Sequence, residues 1–286
     1  MTAFNRMARE TLKPVFNADY DPAAFRAARA AASVLEDQSS FTDLAHGRLE
    51  FRPSADRRRL VAYVAGGGFC FDADDSHRRF VDEVAGAVGA DGCLIRYRLA
   101  PEHPFPAAFD DVGEAIGRLL DDRAARDVVL IGDSAGAALI LSAVMARLSA
   151  GQAVPGRMVF LSALTDLAMT GRSHVSNADA DPLFGPQAII HKAFHYLQGA
   201  NPTDPRASPY WGSPEGLSPC LFLAGSTEVM LDDSRRFAAR AAQAGVDARL
   251  SVYPEAPHTF PLMGDLPEAA KARGEIAAFL REGWAD

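Results

Sequence analysis

A serine set between two glycines, Gly132-Asp133-Ser134-Ala135-Gly136, is the feature of this sequence best suited to covalent chemistry. The β-branched run Val128-Val129-Leu130-Ile131 leads into it, and an Ala/Leu-rich run from Ala137 to Met145 follows. That order predicts a strand, a sharp turn and a helix, with Ser134 on the turn as in a G-x-S-x-G nucleophile elbow. Glycines on either side let strand and helix approach closely while the serine stands above the sheet. A serine hydroxyl is a weak nucleophile at neutral pH, so it needs a base to take its proton and a third group to orient that base. A five-residue pattern also arises by chance, and the reading depends on finding those partners.

Seven histidines are available. His258 alone lies in a loop just past a late strand, in Pro254-Glu255-Ala256-Pro257-His258, and the carboxyl ends of strands are where open α/β sheets do their chemistry. For the acid, the loop after the apolar run Cys220 to Ala224 offers Glu228, whereas Asp232 and Asp233 read as the N-cap and first turn of the next helix. An oxyanion also needs donors. Ala65-Gly66-Gly67-Gly68-Phe69, directly after the apolar run Val61 to Val64, has the flexible backbone to supply two N–H groups. A tight turn is the other reading of that loop; a phosphate cradle lacks its Lys-Ser/Thr or G-x-G-x-x-G spacing. His191 and His195 share a helix face, but no Glu or third ligand accompanies them, which favours a solvated face over a metal site. His103 sits in the proline-rich loop Pro101 to Pro106 and reads as structural.

These groups need a scaffold. The 286 residues suffice for one large domain, and 48% are apolar. Strand patterns at Gly47 to Arg52, Leu60 to Ala65, Cys93 to Leu99, Met158 to Ala163, Cys220 to Ala224 and Ala248 to Tyr253 alternate with helical ones. The helices fall at Ser76 to Val88, Ala107 to Asp122, Asp232 to Ala244 and Pro267 to Arg281. That rhythm predicts an α/β fold with a mostly parallel sheet covered on both faces. It lapses over Thr165 to Pro214, which holds one helical piece at Pro186 to Leu197 and reads as an inserted cap. Asp21-Pro22 starts a further amphipathic helix over 22–36, with Phe25, Ala28, Ala32 and Leu35 on one face, as a lid or arm. The net charge of −8, with 29 Lys and Arg against 37 Asp and Glu, argues against nucleic acid as a partner. Three dispersed cysteines, the absence of a signal-like leader and an apolar run too short for a bilayer make a cytoplasmic protein with reduced thiols the expectation, with no membrane partner.

Ser134, Glu228 and His258 occur in the chain order of the α/β-hydrolases. Together with Gly66-Gly67-Gly68, Tyr97-Arg98-Leu99-Ala100-Pro101-Glu102 and the stretch Glu228 to Asp233, they make nearly the whole chain resemble the hormone-sensitive lipase family of α/β-hydrolase esterases, bacterial carboxylesterases among them. The resemblance implies a single α/β-hydrolase domain over 1–286 with an eight-stranded core and a helical cap from about 1–45 plus an insertion at about 165–214. It implies oxyanion donors from Gly67, Gly68 and Ala135, and neither metal nor organic cofactor. The expected activity is hydrolysis of small, short-acyl esters through an acyl-enzyme on Ser134. A lactone or amide hydrolase with the same triad, and a non-catalytic small-molecule binder on the same fold, are the alternatives. Phe69, Phe184, Phe194 and Tyr196 are expected to line the substrate pocket, and a homodimer is compatible with the sequence. Two positions depart from the family pattern: Ala65 stands where His is usual, and Glu228 where Asp is usual. The first should leave the glycine loop less rigid. An Arg98/Glu102 pair is expected to brace the site from below.

Overall fold

The computed structural model describes residues 3–18, 21–24, 26, 40–52, 58–264 and 266–284. Its strands are β1 (Ser40–Asp43), β2 (Arg48–Arg52), β3 (Leu60–Val64), β4 (Asp91–Arg96), β5 (Val128–Asp133), β6 (Arg157–Leu161), β7 (Cys220–Gly225) and β8 (Ala248–Tyr253). The longer helices are α1 (Ala3–Asn17), α2 (Asp75–Val88), α3 (Ala107–Asp122), α4 (Ser134–Ser149), α5 (Pro186–Leu197), α6 (Leu231–Gln243) and α7 (Pro267–Gly283). The strands form one eight-stranded sheet in the order β1-β2-β4-β3-β5-β6-β7-β8. β2 is antiparallel to both β1 and β4, and every pairing from β4 to β8 is parallel. This is the α/β-hydrolase fold.

β3, β5 and β7 are buried along their whole length, which is why they read as unbroken apolar runs rather than alternating ones. Successive residues feed opposite faces. Ala62, Val64, Leu130, Phe160 and Phe222 join a core with Ile116 of α3, Ile140 of α4 and Phe237 of α6. Val61, Tyr63, Ile131, Val159 and Leu223 join a second core with Phe80 of α2 and Ile276 of α7. α4 is buried from Ser134 to Met145, so it carries apolar residues all round and packs directly behind the elbow.

Between β6 and β7 the chain makes a helical turn at Ser173–Ser176, then α5 and a 3₁₀ turn at Pro209–Trp211. α1 lies across this segment. Lys13 Nζ donates to the carbonyls of Ala178 (2.6 Å) and Asp181 (2.7 Å), and Asn17 Oδ1 accepts the Gly185 N–H at 2.6 Å. Neither α1, which contains Pro14, nor the fully exposed β1 is legible as an element in the sequence. Of the helix expected over 22–36, residues 22–24 and 26 are helical, and the remainder lies outside the described residues. The strand expected to reach Leu99 ends at Arg96, because the Arg98 N–H turns out of the sheet to Asp111 Oδ2 at 2.8 Å. Among the described residues, no helix is long and apolar enough to cross a membrane. All three cysteines are free and buried, and burial pushes the Cys70 and Cys220 thiols up to about 12.

Candidate active site

Ser134 is the first residue of α4 and has φ +49°, in the left-handed region that a non-glycine residue occupies only under constraint. The constraint is the close approach of α4 to β3. A Cβ on Gly136 would lie 2.1 Å from the Val64 carbonyl oxygen, so no larger residue fits two positions after the serine. The Leu164 N–H holds the Ser134 carbonyl at 3.1 Å from the β6 side. Ser134 is itself 7% exposed, which leaves the hydroxyl at the bottom of a covered site.

The two late loops meet. His258 Nδ1 lies 2.9 Å from Glu228 Oε2, and both side chains are buried. Glu228 Oε1 accepts the Ser162 hydroxyl at 2.8 Å and the Gly225 N–H, so both carboxylate oxygens are engaged. Ser162 Oγ in turn accepts the Thr259 N–H at 2.9 Å, which ties the residue after His258 to the same network. Ser162 sits just past β6 with φ +49°, and nothing in its sequence context marks it; its partners are 66 and 97 residues away. Burial pushes the Glu228 carboxyl up, against the pull of His258. For His258, burial opposes the cation, but the hydrogen bond and charge of Glu228, joined by the charges of Asp181 and Asp133, outweigh it and raise the imidazole above 6.5. The Phe184 ring packs perpendicular to the imidazole, centroids 5.0 Å apart at 90°.

The glycine loop begins where β3 ends. Gly67 and Gly68 have φ +90° and +60°, which requires glycine and turns the chain sharply beside the elbow. The loop is held from two sides. Asp133 Oδ1 accepts the Gly66 N–H and the Tyr63 hydroxyl, each at 2.7 Å. The Tyr97 hydroxyl donates to the carbonyls of Ala65 (2.8 Å) and Gly66 (3.0 Å), and burial keeps that phenol protonated. The loop expected to be loose for want of a histidine at Ala65 is therefore braced by Tyr97 and Asp133, and Ala65 itself is 3% exposed within the core. Tyr97→Phe should lower kcat about tenfold with little change in KM, since tenfold corresponds to about 1.4 kcal/mol, the scale of a buried hydrogen bond. Steady-state kinetics on a p-nitrophenyl ester checks it.

Several expected roles are corrected. Arg98 pairs with Asp111 at 2.7 Å, and Glu102 pairs with Arg26, so Arg98 and Glu102 do not brace the site as a pair. Asp232 and Asp233 stand in the first turn of α6, as expected, but the N-cap position is Met230 and neither carboxylate caps the helix. Asp232 Oδ2 accepts the Ser173 N–H at 3.0 Å, and the fully buried Asp233 accepts the N–H groups of Thr165 (2.8 Å) and Asp166 (2.9 Å). They anchor the β6–β7 segment. Asp233→Ala should therefore destabilise the fold by about 3 kcal/mol, not the ~1 kcal/mol of a lost cap, by orphaning two buried donors; urea denaturation measures this. Of the expected pocket residues, Phe184 meets the site. Phe194 is 74% exposed and faces solvent, because it lies on the outer side of α5. Phe69 and Tyr196 are 1% and 0% exposed and stack on each other at 3.8 Å, so they prop α5 from within the core instead of facing a ligand. Lys192 packs against the glycine loop: its stem lies over Gly68 and its Nζ is 5.7 Å from the Phe184 ring centre. Burial lowers its ammonium to about 8. Among the described residues, no group of three His, Cys, Asp or Glu side chains could hold a metal ion.

A sequence profile of the α/β hydrolase fold matches residues 61–262. The chain is 36% identical to an acetyl-hydrolase of Streptomyces hygroscopicus over 232 residues, 80% of this chain and 78% of that one. It is 32% identical to an esterase of Acinetobacter venetianus over 235 residues, 80% and 77% of the two chains. Its structure superposes with a TM-score of 0.87 on an esterase of the bacterial hormone-sensitive lipase family, at 32% identity over 98% of this chain and 97% of that one. An elbow serine, a buried acid–imidazole pair and a braced glycine loop on this sheet agree with those likenesses, and the chain belongs to the α/β-hydrolase family of enzymes, within its hormone-sensitive lipase branch of carboxylic ester hydrolases.

Proposed function

We propose that the protein is a serine carboxylesterase of small, short-acyl, uncharged or weakly polar esters, working through an acyl-enzyme on Ser134. The observation that carries this reading is the buried contact of His258 Nδ1 with Glu228 Oε2 at 2.9 Å, in the two loops that flank the elbow. Glu228 accepts the Nδ1 proton and so leaves Nε2 free as a base. Nε2 takes the Ser134 proton as Oγ bonds to the ester carbonyl carbon, and the carbonyl oxygen becomes an oxyanion. The N–H groups of Gly67, Gly68 and Ala135 receive that charge. Collapse of the tetrahedral intermediate breaks the bond to the alcohol, which leaves with the proton from His258. Water then repeats the sequence: Nε2 takes its proton, hydroxide adds to the acyl carbon, and Ser134 Oγ departs with that proton as the acid is released.

A raised imidazole pKa sets the acid limit of this cycle. The base must be neutral, so kcat/KM should fall as pH drops through the His258 pKa, with its acid limb above pH 6.5.

The short-acyl preference rests on the roof. Phe184 lies on His258 and is flanked by Phe16 of α1 at 5.4 Å, while Lys192 covers Gly68. α1 and the β6–β7 segment thus act together as a cap that limits the acyl pocket. The Streptomyces relative's name, acetyl-hydrolase, supports the same size class. Each buried methylene adds about 0.8 kcal/mol until the pocket ends. A p-nitrophenyl series from acetate to palmitate should give maximal kcat/KM at roughly two to six acyl carbons; a rate still climbing past about ten carbons contradicts a closed roof.

A further inference from the structure

Asp181 lies in the β6–β7 segment, fully buried, and its carboxylate makes contacts in two directions. Oδ1 accepts the N–H groups of Leu183 (2.8 Å) and Phe184 (3.0 Å), which fixes the backbone of the residue whose ring packs on His258. Oδ2 accepts the Val229 N–H at 2.8 Å, 48 residues away and next to the catalytic acid Glu228. Asn177, whose carbonyl accepts the Asp181 N–H, adds to the same seam: its Nδ2 donates to the carbonyls of Ser226 (3.2 Å) and Glu228 (2.9 Å). The turn that carries Glu228 is therefore held from the cap side as well as by the hydrolase core.

We propose that Asp181 is a positioning residue of the hydrolytic machinery: one carboxylate sets both the turn bearing Glu228, through Val229, and the Phe184 roof over His258. The proposal rests on the reading of Ser134, Glu228 and His258 as a triad. Three N–H donors converge on a full negative charge, an arrangement an amide cannot reproduce. Asn at this position has one oxygen, so its NH₂ faces either the Val229 N–H or the Leu183 and Phe184 pair, donor against donor. Either way the Glu228 turn or the Phe184 backbone must move. Displacements of about 1 Å at supporting residues cost about a hundredfold in rate when they disturb near-attack geometry. Asp181 also acts on His258 through its charge, in the same sense as Glu228 and Asp133, by favouring the imidazolium.

The test compares the wild type, Asp181→Asn and Asp181→Glu on p-nitrophenyl acetate from pH 5 to 9, with thermal unfolding of each. Asp181→Asn should lose about 10- to 100-fold in kcat with KM changed less than about threefold, and the acid limb of its kcat/KM profile should move to lower pH. Asp181→Glu keeps the charge but displaces it by a methylene. It should keep the wild-type limb with an intermediate kcat, and it carries the test alone if the Asn variant does not fold. Wild-type kcat in Asp181→Glu, or an Asp181→Asn enzyme with wild-type kcat and an unmoved limb whatever its melting temperature, overturns the proposal. Ser134→Ala and His258→Ala in the same assay separate the two claims: activity retained there refutes the triad, whereas inactive Ser134→Ala and His258→Ala beside an unaltered Asp181→Asn refute Asp181's role alone.

Discussion

Replacing Ser134 or His258 with alanine should each lower kcat on a short-chain ester by about 10⁴- to 10⁶-fold, and the double variant should be no worse than the single ones. In the proposed mechanism the two side chains act on one proton, so removing the second takes away nothing the first had left. What should remain is the proposed stabilisation of the oxyanion by the glycine loop and the Ala135 N–H, together with binding. Folding should be little changed in Ser134→Ala, because the substitution relieves no packing and the φ of +49° is imposed by α4 against β3. Active-site titration and single-turnover kinetics check both the size of the loss and its lack of additivity. Losses that multiply would mean that the serine and the histidine work independently.

Glu228→Gln is expected to cost about 10³- to 10⁴-fold in kcat while leaving the fold intact. The reason lies in the partners of the other carboxylate oxygen. Oε1 receives the Ser162 hydroxyl and the Gly225 N–H, so a glutamine must keep its own oxygen there and turn its NH₂ toward His258 Nδ1. That donor forces Nδ1 to accept and places the imidazole proton on Nε2, where it blocks removal of the Ser134 proton. Loss of the carboxylate charge also withdraws the main support for the imidazolium, so the acid limb of the residual activity should lie below that of the wild type. A Gln variant within tenfold of wild type would assign the acid elsewhere.

Much of this site is written locally. The elbow is five consecutive residues between a strand and a helix, and Glu228 and His258 each lie in the loop after a late strand, so their chain order alone proposes a triad. The sheet was legible for the same reason: β3, β5 and β7 are fully buried, and their apolar runs admit few other readings. What escaped is whatever depends on contacts between distant positions with no signature of their own. Ser162 and Asp181 are an ordinary serine and an ordinary aspartate until the loops after β7 and β8 close on them. Tyr97 lay within a motif whose purpose was opaque, because the carbonyls it serves are 31 and 32 residues away. The first-turn place of Asp232 and Asp233 was legible, but not their partners: a carboxylate at a helix start usually caps it, and here the β6–β7 segment offers competing N–H groups. The aromatic residues expected around the pocket divided by helix face. On α5, Tyr196 points into the core and Phe194 away from it, a distinction that composition does not contain.

The proposed function requires that Ser134 becomes acylated, with Glu228 and His258 activating it. Incubation of the protein with a fluorophosphonate, followed by proteolysis and mass mapping, addresses it directly, because the reagent phosphonylates a serine only where a base and oxyanion donors activate it. Stoichiometric labelling of the peptide containing Ser134 is expected, and none in His258→Ala over the same interval. Labelling of a different serine, or no labelling of the folded wild type, would contradict it.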